Sequence, residues 1–178
     1  APGCPRRVDR RQRQIGIIDS YKVAAEDLAK VFGAEDGIRR VGLRPHTVFG
    51  PGRDQGMTSL PSVGIEHAVA RQPFHIDFGG SLDFQYAPDV AAAFIHAARI
   101  DIDGAPTFNI TGDSTTVTEF VDTIKAVTGF DQITHGTDPL PVVEGVDATD
   151  WFERAGGPTP TPLRAAIEES ANIFAPAN

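Results

Sequence analysis

Apolar positions along this chain follow a helical rhythm in some stretches and a strand rhythm in others, and the two alternate. Residues 21–37, YKVAAEDLAKVFGAEDG, put Val23, Leu28, Val31 and Phe32 near one helical face, and Gly33 or Gly37 can end that helix. GIRRVGLRPHTVFGPG supplies a short strand around residues 41–43, then a loop full of turn residues. Residues 58–71 read as a helix and PFHIDFGG as a strand with a Gly-Gly turn. DFQYAPDVAAAFIHAARI is a strand that passes through Pro88 and Asp89 into a helix, with Val90, Phe94 and Ile95 facing inward. FNIT (108–111) is a strand, and the loop GDSTT delivers Thr116 as an N-cap. Glu119 completes a capping box ahead of Val117, Phe120, Val121, Ile124 and Val127, with Gly129 as C-cap. HGTDPLPVVEGVD reads as loop. TPLRAAIEESANIF takes Thr161 as cap and Pro162 at its first position, with Leu163, Ile167, Ala171 and Phe174 as the buried stripe. This alternation predicts an α/β fold with a largely parallel sheet.

Composition narrows the class. The 178 residues suffice for a domain with a real core, and 40% hydrophobic with 22% charged residues is ordinary for a soluble globular chain. No apolar run approaches the ~18 residues of a membrane span, and no apolar segment follows the N-terminal charges. The expected compartment is cytoplasmic, with no membrane partner. A single cysteine, Cys4, excludes an internal disulfide and a cysteine-cluster metal site. The histidines His46, His67, His75, His96 and His135 have no H-x-x-x-H spacing, so no metal site is expected.

Charge is uneven. Residues 1–14 hold five arginines against one aspartate, while the rest of the chain carries the excess of acid behind the net charge of −8. An acidic body argues against nucleic acid as a partner. Residues 1–14 are expected to form a disordered basic arm and residues 15–178 the domain.

Four segments then resemble a known family. VGLRPHTVFGPGRDQG is similar to a segment that typically reads LRP, two variable residues, then V-(F/Y)-G-P-G. FGGSLDFQYAPDVAAAFIHAA resembles G-x-x-x-D-F-x-Y-V-x-D-V-A. FNITGDSTTVTEFVDTI and TPLRAAIEES resemble its late strand, capped helix and terminal helix. From about Tyr21 to Phe174 the chain resembles the C-terminal half of the NAD-dependent epimerase/dehydratase family, the extended short-chain dehydrogenase/reductases. The resemblance implies the C-terminal part of a Rossmann-like doubly wound sheet plus a small substrate-binding α/β subdomain. It also implies NAD or NADP as cofactor, and oxidoreductase or isomerase chemistry on a sugar or other hydroxy or keto compound. The glycine-rich turn that binds the dinucleotide in such folds is expected to be absent. Two readings stay open: the substrate-binding half of such an enzyme, or a truncated or degenerate remnant without activity that serves as a binding module. With much of the sheet missing, open apolar surface is expected, and with it self-association or a homo-oligomer.

The resemblance assigns roles residue by residue. The family's Tyr-x-x-x-Lys pair stacks on one helical face, where the ammonium lowers the phenol's pKa so that it can act as acid/base. Lys22 matches the lysine, as catalytic and cofactor-binding residue, and Glu26 the acidic position after it. Ile18, which cannot ionise, stands at the tyrosine's position, and Tyr21 is adjacent to Lys22. Pro45 and His46 are expected near the cofactor. Thr47, Arg53, Gln55, Asp83 and Tyr86 are expected to face substrate, with Asp54 beside them. Many nucleotide-sugar members have an arginine before the Asp of D-F-x-Y. Here that position is Leu82, which favours a simpler sugar, sugar acid or hydroxy/keto compound.

Overall fold

The computed structural model describes residues 10–176, so Cys4 and the first nine residues of the basic arm lie outside the described residues. The chain divides into two compact units, Ala1–Gly42 with Asp101–Thr107, and Leu43–Ile100 with Phe108–Asn178.

The first unit is built on α1, Arg10–Asp36. Residues 10–14, expected as disordered arm, instead continue the helix in backbone, in keeping with the good helix propensity of Arg and Gln. The helix stops just before Gly37, whose φ of 64° suits a left-handed cap, and passes through Gly33 unbroken. The apolar residues near one face of this helix are not buried. Val23, Leu28, Val31 and Phe32 are between 44% and 60% exposed. Phe32 has the Arg40 guanidinium 4.7 Å from its ring centre.

Along the rest of the chain come β1 (Gly42–Arg44), β2 (Thr47–Phe49), a 3₁₀ turn (Met57–Ser59), α2 (Leu60–Val69) and β3 (Phe74–Ile76). Then follow β4 (Ser81–Tyr86), α3 (Ala87–Ala97), β5 (Thr107–Asn109), β6 (Asp113–Thr116) and α4 (Val117–Thr128). The last elements are β7 (Ile133–His135), α5 (Thr149–Glu153) and α6 (Leu163–Phe174). The architecture is α/β. β1 pairs with β5; β2, β4 and β6 form a sheet in that order; β3 pairs with β7. The β2–β4 and β3–β7 pairs are parallel, while β4–β6 is antiparallel with Asp83 opposite Ser114.

Two of these strands replace expected loops. Thr47–Phe49 and Asp113–Thr116 are too short to announce themselves, but their β-branched residues pair along both edges of β4. Gly112 permits the approach of β6, since a Cβ there would fall on the Phe84 carbonyl oxygen.

Alternation along β4 divides its side chains. Leu82, Phe84 and Tyr86 join the core with Phe49, Ile65, Phe120, Ile124 and Ile167 from the neighbouring strand and from α2, α4 and α6. Phe84 stacks on Phe120 at 4.4 Å, and Phe49 meets Phe120 edge-on at 5.0 Å. The caps of α4 form as expected: Glu119 N–H donates to Thr116 Oγ1 at 3.1 Å, and Gly129 is left-handed. The Glu119 carboxylate departs from the capping-box pattern by accepting the Thr115 hydroxyl.

Two expectations fail for α3 and α6. On α3, Ala93 is the buried residue, while Phe94 and Ile95 are each 52% exposed. Thr161 does not cap α6: its N–H and hydroxyl both donate to Asp89, at 2.7 and 2.8 Å. The Asp113 carboxylate accepts the Leu163 N–H in its place, an acid at a helix N-terminus.

Candidate functional site

The other face of β4 carries Asp83 and Gln85, both buried. Asp83 is 0% exposed and its carboxylate accepts four hydrogen bonds. Gln85 Nε2 and Gly112 N donate to Oδ1 at 2.8 and 2.9 Å; the Thr111 and Ser114 hydroxyls donate to Oδ2 at 2.5 and 3.0 Å. A carboxylate has about four acceptor sites, so this one is satisfied within the protein. Gln85 is equally committed. Its Nε2 also donates to Ile110 O at 2.6 Å, and its Oε1 accepts the His46 N–H at 3.1 Å. The network thus ties β4 to the turn after β1, which carries His46, and to the turn after β5, which carries Ile110 to Gly112.

His46 is half-buried above this face. Its Nε2 lies 2.7 Å from Val143 O, which can only accept, so Nε2 carries a proton and donates. Nδ1 lies 3.1 Å from Thr47 Oγ1 and 3.3 Å from Asp83 O. Thr47 is buried beneath the ring, and Pro45 is exposed beside it. Thr47, Asp83 and His46 are therefore brought together, while the remaining expected residues lie apart from this network. Arg53 closes its own loop, donating to Gln55 O and to Thr58 Oγ1 at 3.0 Å, and the Gln55 side chain is exposed. Tyr86 turns into the core towards α6. Burial and the Glu169 carboxylate push its phenol above its ordinary pKa, against a hydrogen bond with Ser170.

Lys22 is exposed on α1, in the first unit. The helix is continuous through residues 18–22, so Ile18 holds the position one turn before Lys22, and Tyr21 points ~100° away from it.

The sequence of residues 19–111 matches the family described as the NAD dependent epimerase/dehydratase family, which is more than half of the chain. The chain belongs to this family. Among solved structures, UDP-glucose 4-epimerase from Thermotoga maritima, determined with UDP-glucose, superposes with a TM-score of 0.72 at 25% identity. That match covers 86% of this chain and 51% of the other. The enzyme of the same name from Thermus thermophilus, complexed with NAD, gives 0.72 at 20% identity over 87% and 52%. A GalE-like L-threonine dehydrogenase from Cupriavidus necator gives 0.71 at 16% identity over 83% and 52%. At those lower identities the likeness is one of fold. The chain spans about half the length of the structures it matches. No protein of curated function matches it.

Membership in the NAD dependent epimerase/dehydratase family raises the question of where a dinucleotide would sit. Pyrophosphate is held at open helix N-termini. In the second unit those of α4 and α6 are taken. Val117 N–H donates to Gly80 O at 2.9 Å, Glu119 N–H to Thr116, and Leu163 N–H to Asp113. α2 and α3 each have a proline in the first turn, and α3 adds the Asp89 carboxylate. The N-termini of α3, α4 and α6 therefore do not fit the pyrophosphate. Behind Gln85 a cavity of about 20 Å³, lined by Asp89, Thr111 and Trp151 among others, has room for one water and not for a substrate. Among the described residues no cluster is placed to hold a metal ion, and no helix is long and apolar enough to cross a membrane.

Sequence reasoning missed Gln85, Ser114 and Val143. Gln85 had a signal, since period-two alternation puts it on the same strand face as Asp83. Val143 had none, because it reaches His46 across 97 positions of chain.

Proposed function

We propose that this chain is the substrate-recognising part of an NAD(P)-dependent epimerase, dehydratase or oxidoreductase acting on a sugar or another hydroxy or keto compound. The observation that carries the reading is the Asp83–Gln85–His46 network, which fixes the turns after β1 and β5 with every polar atom of Gln85 engaged. Turns that follow strands are where α/β folds place ligands, and rigid polar positioning is what such a site needs. Leu82 supports a ligand without a diphosphate. It is buried on the core side of β4, and the four groups donating to Asp83 are all neutral.

A second reading, a remnant without turnover, is favoured by the continuous helix that leaves Ile18 one turn before Lys22. Thermal melts separate the two. Millimolar NAD or NADP is expected to leave the melting temperature unchanged, and a saturable rise would overturn the account of plugged helix N-termini. A panel of hexoses, hexuronates and hydroxy acids is expected to contain a saturable stabiliser, with UDP giving none. Failure of the whole panel leaves the remnant reading.

A further inference from the structure

Between β7 and α5 the chain runs through residues 140–147 without regular secondary structure. Both ends are anchored. Pro139 bridges to Gly79, Gly79 N–H donates to Asp138 O at 2.9 Å, and Leu140 packs on the core. At the other end the Thr149 hydroxyl, and after it the Thr149 N–H that donates to Asp147 Oδ1 at 2.9 Å, hold the Asp147 carboxyl below its usual range, and Trp151 is buried. The middle is different: Val143 is 63% exposed, so apolar burial does not hold it.

Two side-chain donors span this middle. His46 Nε2 donates to Val143 O at 2.7 Å, and Asn109 Nδ2 donates to Asp147 O at 3.0 Å. Gly145 passes so close to Ser114 that a Cβ would lie 3.3 Å from its hydroxyl oxygen. Ser114 is one of the donors to Asp83, and His46 is held by Gln85. The segment therefore crosses the polar face described above at Val143 and Gly145, and two of its backbone carbonyls accept from His46 and from Asn109 on β5.

We propose that residues 140–147 are a strap that occupies the site's own hydrogen-bond donors, His46 Nε2 and Asn109 Nδ2. A ligand presenting two acceptor oxygens, carbonyl or hydroxyl, enters by displacing the Val143 and Asp147 carbonyls. Ligand entry rests on the function proposed above; the latch itself does not. A peptide carbonyl is a fair stand-in for a keto or hydroxyl oxygen, because each accepts from an N–H in the same geometry. Only hydrogen bonds, and no buried side chain, need be exchanged at Val143, so opening leaves the core intact.

Hydrogen–deuterium exchange of the whole chain without ligand tests the latch, with the amides of β4 as internal reference. In Asn109→Ala and in His46→Ala, exchange across 140–147 is expected to quicken about fivefold, the loss of one ordinary hydrogen bond, while β4 protection stays at the wild-type level. Equal exchange in 140–147 for wild type and both variants would overturn the strap. Should His46→Ala loosen β4 itself, Asn109→Ala decides alone, since its side chain donates to the strap and not to β4. Because no ligand is added, this outcome is independent of the thermal melts.

Discussion

Helices α1 and α4 both carry apolar residues near one face, far more sharply segregated from polar ones in α4, and they end differently. In α4, Val117, Phe120, Val121 and Ile124 are buried, with α2 and α6 packed alongside. In α1, Val23, Leu28 and Val31 are exposed along the helix. Capping closes both ends of α4, whereas α1 ends just before Gly37, whose backbone is left-handed. The contrast shows what a periodic stripe specifies. It favours a helix and marks a face, but burial requires a facing surface, and α4 finds one within its own unit.

The sharpest way to break this comparison is to truncate matched positions. Phe120→Ala removes a ring that touches Phe49 and Phe84, and is expected to cost about 3–5 kcal/mol in urea unfolding. Val31→Ala on α1 is expected to change stability by less than ~0.5 kcal/mol. Equal losses would show that the α1 face is covered in solution. Removing the α4 cap by Thr116→Ala is expected to cost about 1 kcal/mol, and no change would mean that Gly80 O satisfies that end by itself.

The smallest effect concerns Tyr86. Burial and Glu169 raise its folded-state pKa above the unfolded value of about 10. Its contribution is then whole below pH ~10 and is lost as pH climbs through the folded value. Tyr86→Phe is expected to flatten the alkaline loss of stability relative to wild type. Parallel alkaline limbs for the two proteins would show that the phenol does not titrate in this range.

The elements readable from sequence were those whose signals are local. Thr116 and Glu119 lie three residues apart, and Gly129 caps the same helix, so α4 was legible with both its ends. Strands β2 and β6 were not, because three or four residues become strand only through β4. Thr161 looked like the cap of α6, yet its partner is Asp89, 72 positions away, and Asp113 does the capping from β6. At the site, family resemblance pointed to His46, Thr47 and Asp83, which the fold does bring together. It did not distinguish a residue that faces a ligand from one whose oxygens are fully used inside the protein, as those of Asp83 are. Nor did it foresee that the Arg53 guanidinium folds back on its own loop.

Trp151 is the chain's single tryptophan, buried at the start of α5 with His96 edge-on at 5.4 Å and Phe108 at 5.8 Å. The molecule therefore carries one indole, and it belongs wholly to the second unit. With the indole buried, its emission is expected to be blue-shifted while that unit is folded and to move to the red when water reaches it. Because it lies a few residues beyond the strap, the same dye-free signal, excited at the red edge where tyrosine does not absorb, can follow that neighbourhood in real time without the Tyr21 of α1.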